Sequence, residues 1–115
     1  MVRKPIVDIA EGIAGGKGIT ELHNIISAEE FGKAGSFYGK CVLKPGSTVG
    51  FHQHVGDTEP YYVLSGHGIF VDNDGSRIPV SAGDVCVIKN GESHAIENAS
   101  DTEDFEFIAM IYNFL

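Results

Sequence analysis

The stretch Gly46 to Gly66, GSTVGFHQHVGDTEPYYVLSG, decides how the rest of the chain is read. Val49 to His54 and Pro60 to Leu64 are short runs rich in β-branched and aromatic residues, which is strand composition. Val55-Gly56-Asp57-Thr58 between them is a turn. Side chains alternate between the two faces of a strand, so His52 and His54 at i and i+2 share one face. Glu59 stands where the next strand begins. A second stretch, Gly83 to Asn98, GDVCVIKNGESHAIEN, is built the same way. It reads as a strand over Val85 to Ile88, a turn at Asn90-Gly91, and a strand over His94 to Asn98 with a histidine at its head.

Three neutral imidazoles and a carboxylate (His52, His54, His94 and Glu59) suit one divalent transition metal ion and leave coordination positions open. A closed structural zinc site more often uses thiolates, and neither Cys41 nor Cys86 stands in ligand spacing. Taken singly, each histidine is more often a hydrogen-bonded residue than a ligand.

Further strands are expected over Phe37 to Leu43, Gly68 to Val71, Ile78 to Val80 and Phe105 to Tyr112. Asp72-Asn73-Asp74-Gly75 is a hairpin turn, and Ala82-Gly83-Asp84 marks another. Ser27-Ala28-Glu29-Glu30 is a capping-box pattern that starts one helical turn. Many short strands with regular turns predict an all-β sandwich or barrel. Gly12, Gly15, Gly16 and Gly18 form a loop, and no element is assigned to residues 1–24. Without a strand–GxGxxG–helix context those glycines are not a phosphate cradle.

The 115 residues fit a single domain. Sixteen acidic against eight basic residues give a net charge of −8, a field that repels phosphate backbones and argues against nucleic acid as a partner. No apolar run approaches the length that crosses a bilayer, and the first five residues lack the apolar stretch of a signal peptide. With two cysteines, each inside an apolar run, the expectation is free thiols, no membrane partner and a cytoplasmic location.

Gly46-x5-His52-x-His54-x4-Glu59-x6-Gly66 resembles the first conserved motif of the cupin superfamily at every defined position. Gly83-x7-Gly91-x2-His94-x3-Asn98 resembles the second, with one departure: Lys89 stands where the family has proline. The motifs lie within residues 46–98. The resemblance implies a cupin jelly-roll β-barrel (a double-stranded β-helix) over residues 1–115. It also implies a metal in the barrel interior on His52, His54, Glu59 and His94. It places Gly46, Gly66, Gly83 and Gly91 at turns and gives Asn98 a structural hydrogen bond at the barrel end. The ligands do not distinguish Mn, Fe, Ni, Cu and Zn.

Alternation from the ligands extends the inward set. Thr48 and Gly50 share parity with His52 and His54, Tyr61 and Val63 with Glu59, and Ile96 with His94. Phe37, Cys41 and Leu43 are expected on the wall, with Phe107, Ala109 and Ile111 opposite. The substrate-pocket candidates are therefore Thr48, Tyr61, Val63, Ile96 and Phe107. His23 is read as structural or exposed, and Asp57 as facing water at the barrel mouth.

A mostly apolar wall around a metal suits a small-molecule ligand with one chelating end. The leading expectation is a metal-dependent enzyme on a small organic acid or carbonyl compound, whether oxidoreductase, decarboxylase or isomerase. The alternative is a metal-bound binding or sensing module without turnover. The oxalate-degrading cupins resemble this site in their ligands but also place an arginine near the metal. The two arginines here, Arg3 and Arg77, are not obvious pocket residues, so oxalate chemistry is not favoured. Ile108, Met110 and Tyr112, with Phe51, Tyr62 and Leu64, fall on outward faces. That much outward apolar surface predicts a homodimer, unless Ile6, Val7 and Ile9 cover it within one chain.

Overall fold

A computed structural model describes residues 1–114 of the chain. Ten strands run in the order β1 Ile6–Glu11, β2 Ile19–Ile26, β3 Gly35–Leu43, β4 Thr48–Gln53, β5 Asp57–Ser65, β6 His67–Val71, β7 Arg77–Ser81, β8 Val85–Ile88, β9 Ser93–Asn98 and β10 Phe105–Asn113. A 3₁₀ turn, Ile13–Gly15, links β1 to β2, and a four-residue helix α1, Ala28–Phe31, precedes β3. The six-stranded sheet has the order β1-β2-β3-β10-β5-β8, and the four-stranded sheet β4-β9-β6-β7. Every pairing is antiparallel. The chain crosses repeatedly between the sheets, which gives the jelly-roll double-stranded β-helix.

Eight of these strands fall where the alternation and turn residues place them. Residues 6–26 add two more, β1 and β2, to which the sequence reading assigns nothing. In β2 the period of two is present: Thr20 is buried and Leu22 packs on the core, with Glu21 and His23 between them. Its pattern is hard to see because Glu, His and Asn are weak strand formers. In α1 the capping box is complete. The Ser27 hydroxyl accepts from the Glu30 amide, and the Glu30 carboxylate accepts from the Ser27 amide.

The core lies between the sheets. Leu43, Val63, Phe105 and Phe107 come from the larger sheet, and Phe70 and Ile96 from the smaller, all nearly inaccessible to water. Such burial contributes about 1.5–3 kcal/mol for each large apolar side chain. One irregularity positions the site. Val49 pairs with Ile96 and His52 with His94, so β4 spends three residues where β9 spends two. This bulge inverts the alternation along β4.

Candidate metal centre

His52, His54, Glu59 and His94 converge at one end of the barrel, with one donor atom of each inside a cluster no more than 4.8 Å across. The two sheets contribute jointly. His52 and His94 are cross-strand neighbours on β4 and β9, and Glu59 comes from β5 in the other sheet. His54 lies just past β4 and is fixed by its backbone, whose amide donates to Glu92 O (2.9 Å) and whose carbonyl accepts from Gly91 N (2.7 Å).

The rings are aimed by what their outer nitrogens touch. His52 Nδ1 lies 2.7 Å from the Gly50 carbonyl oxygen, and His54 Nδ1 lies 2.6 Å from Asp57 Oδ1. Both partners can only accept, so both Nδ1 atoms carry the proton and the Nε2 lone pairs are left to face the cluster. His54 Nε2 is 3.0 Å from His94 Nε2, and Glu59 Oε1 is 3.2 and 3.1 Å from the two. Three electron-rich atoms at these separations, in a pocket where His54, Glu59 and His94 are buried, repel one another unless a proton or a cation lies among them. Imidazole nitrogens with one carboxylate oxygen are the donor set of a borderline divalent metal, and the residues fit such an ion. His94 Nδ1 is buried and unpartnered among the described residues.

The electrostatics fit a site that holds a proton when no metal is present. The hydrogen bond to Glu59, then Asp57, raises the His54 pKa above its ordinary value against the opposing effect of burial. For His94 burial dominates and lowers it, with Glu59 pulling the other way. Burial is the largest single influence on Glu59, yet its bonds to His54 and His94 together keep the carboxyl below the usual range. Burial, and then the charge of Glu59, pushes the Tyr61 phenol well above 10.

His52 and Glu59 open onto a cavity of about 240 Å³ between the sheets. Of the pocket candidates, Tyr61 and Phe107 line it, with ring centroids 4.4 Å apart. Val63 and Ile96 are buried in the core beneath rather than on the cavity wall. Thr48 is not on the wall at all, and the β4 bulge is the reason. Val49 takes the inward position, while the Thr48 hydroxyl accepts from the Lys17 amide (2.9 Å). Besides Val49, the missed wall residues are Ser36 on β3 and, from the unassigned N-terminal part, Ile13, Thr20 and Leu22. Asp57, expected to face water, instead holds His54. Its place three residues after a candidate ligand, on a turn, was the available signal.

Lys89 in place of the family proline leaves the second turn intact. The Lys89 amide, which proline would lack, donates to Glu92 Oε1 (2.9 Å), and the Glu92 amide donates to Lys89 O (3.0 Å). Asn98 closes the other end of β9 through its side chain. Neither arginine is near the cavity: Arg3 pairs with Glu30 and Arg77 with Glu97.

Comparison with known proteins agrees with this geometry. A family model described as a cupin domain matches residues 39–111, which include all four donors. An oxalate-binding protein of Thermotoga maritima is 46% identical over 97 residues, 84% of this chain and 78% of that protein. The crystal structure of a predicted oxalate decarboxylase from Thermotoga maritima has a TM-score of 0.89 at 40% identity, covering 99% of both chains. A polyketide cyclase from Streptomyces resistomycificus has a TM-score of 0.73 at 21% identity, over 100% of this chain and 85% of that one, and shares the fold alone. With both motifs, the jelly-roll barrel and the family match in agreement, the chain belongs to the cupins.

Proposed function

We propose that the protein binds a small organic acid of the oxalate class at one divalent metal held by His52, His54, Glu59 and His94. The observation that carries this reading is the pairing of the donor cluster with a cavity that is otherwise uncharged. When bound, a divalent metal supplies positive charge and open coordination positions for oxygen donors. Among the described residues no lysine or arginine lines the cavity, so these side chains offer a dianion no permanent counter-charge. Ile13, Leu22, Phe37 and Ile111 make the walls apolar, and about 240 Å³ suits a compact ligand. The oxalate-binding relative at 46% identity supports the same ligand class.

The cavity walls also weigh between capture and turnover. Among the described residues, the ionisable groups lining it apart from the donors are Cys41 and Tyr61, and burial keeps the proton on both. Neither is poised as a general base near neutral pH. Capture without turnover is therefore the favoured reading. The enzyme reading rests on the decarboxylase likeness of the Thermotoga maritima structure.

Calorimetry on protein loaded in turn with Mn, Fe, Co, Ni, Cu and Zn tests the proposal, with oxalate, acetate and succinate as ligands. Oxalate is expected to bind most tightly, and only to metal-loaded protein. Equal binding after chelator treatment, or none with any metal, refutes it. Oxygen uptake or carbon dioxide release with the loaded protein would establish turnover instead of capture.

A further inference from the structure

The three histidines of the cluster differ in what holds them from behind. His52 rests on a backbone carbonyl, His94 on nothing among the described residues, and His54 on a carboxylate. The carboxylate is Asp57, whose side chain is 24% exposed and whose Oδ1 is 2.6 Å from His54 Nδ1. It belongs to no rigid motif in the sequence, yet the fold anchors it on three sides. Gly56, at φ 86, reverses the chain immediately before it. The Gly56 amide donates to Asn90 Oδ1 (2.7 Å), and the Gly56 carbonyl accepts from the Phe114 amide (2.8 Å). Asp57 itself pairs with Asn113 across β5 and β10.

Asp57 does not compete for the metal position, because it touches the nitrogen on the far side of the ring and is no member of the donor cluster. A carboxylate in that position has two effects. It fixes the Nδ1–H tautomer and the ring plane, and it makes Nε2 a stronger donor. It also adds a second negative charge to that of Glu59, so the pair together balances a divalent cation.

We propose that Asp57 is a positioning residue of the metal centre, orienting His54 and strengthening its Nε2 as a donor without itself binding the ion. This rests on the metal-centre reading but not on the identity of the organic acid. The experiment compares wild type, Asp57→Ala and Asp57→Asn by chelator competition with Zn and Mn, and by long-range ¹H–¹⁵N NMR of the metal-free His54 ring. Asp57→Ala is expected to weaken metal binding about 10–100-fold and to give a mixture of His54 tautomers. Asp57→Asn, whose amide oxygen still accepts from Nδ1–H, is expected to keep the tautomer and weaken binding by only about three- to tenfold. A wild type that takes up no metal overturns the centre and this inference together. Wild-type uptake with Asp57→Ala within twofold of it overturns this inference alone, even where the thermal midpoint falls. Should Asp57→Ala fail to fold, Asp57→Asn decides, and wild-type affinity there refutes the role.

Discussion

Asn98 offers the sharpest test of how the barrel end is held. It is buried at the end of β9, and its side-chain Nδ2 reaches three backbone carbonyl oxygens: Glu103 (2.8 Å), Leu43 (3.0 Å) and Lys44 (3.2 Å). Its Oδ1 accepts from the Ser100 amide at 2.8 Å. One side chain thus joins the end of β3 to the loop that leads into β10. Truncation to alanine removes these bonds and leaves the Leu43 carbonyl, whose bond to Asn98 is buried, without this donor. At about 1 kcal/mol net per bond, with two N–H protons shared among three acceptors, the expected loss is roughly 2–4 kcal/mol. In a domain this size that lowers the thermal midpoint by about 10 °C or more. Asn98→Asp removes the donor, keeps the shape and sets a carboxylate against three carbonyl oxygens, so it should cost more than alanine at pH 7. Urea unfolding of the metal-free protein, followed by tryptophan-independent far-UV dichroism, measures both. Metal stoichiometry should stay at the wild-type value, because four residues of strand place Asn98 about 13 Å from His94. An Asn98→Ala variant within 1 kcal/mol of wild type, or an Asp variant more stable than the Ala variant at pH 7, refutes the reasoning.

Other outcomes follow from the same geometry. His52→Ala, His54→Ala and His94→Ala should each cut metal content sharply with the fold retained, and Glu59→Gln should weaken binding less; elemental analysis after desalting reads this, and full occupancy in the double variant His52→Ala/His54→Ala refutes the site. Burial pushes the Cys41 thiol far up and Cys86 up to about 11, so a thiol reagent at pH 8 should label neither in the native protein and both in urea. Thiols protonated in the fold but ionised on unfolding leave their stability intact below about pH 9 and remove it as pH rises towards 11, a decline that Cys86→Ala should lessen. The homodimer we propose places the outer face of β5 and β8 (Tyr62, Leu64, Val85 and Val87, all exposed) against a second copy, because β1 sits at the opposite edge of the sheet with Ile6, Val7 and Ile9 themselves exposed and does not cover it. Light scattering at micromolar concentration decides it, and a monomeric mass without dilution-driven dissociation refutes it.

The parts of the fold legible in the sequence were those fixed by local chemistry. Asp72-Asn73-Asp74-Gly75 and Asn90-Gly91 mark turns by composition, and Phe105 to Tyr112 reads as a strand by its aromatic and β-branched content. The donor quartet was legible through spacing, since His52, His54 and Glu59 flank one turn and His94 heads a strand of its own. β2 was not, because its inward positions are Thr20 and Leu22 among polar neighbours, and its pairing with β3 is a contact between distant segments that no local pattern announces. Ile13 likewise reaches the cavity only because the 3₁₀ turn packs down on β4.

The misplacement of Thr48 and the reading of Asp57 as facing water both come from backbone geometry that strict alternation does not carry. Strict alternation assumes that a strand never gains a residue, and β4 gains one between Val49 and His52. The bulge does more than misplace Thr48. It leaves Gly50 out of the ladder, with its carbonyl free to take His52 Nδ1, and a Cβ there would lie 2.1 Å from the Ala14 carbonyl oxygen. The same residue therefore orients one donor of the cluster and admits the N-terminal turn that walls the cavity. Asp57 works through backbone geometry too, because the turn at Gly56 swings its carboxylate behind His54. Ligands are recognisable by residue type, since few side chains can bind a transition metal. Their orienting partners are not, because a carbonyl oxygen or any nearby carboxylate can serve. Gly50→Ala isolates this layer: it should dislodge the 13–15 turn and slacken His52 while leaving all four donor side chains in place. A measurable fall in metal affinity is expected, and an unchanged affinity with the 13–15 turn displaced would show that the close packing at Gly50 does not orient His52.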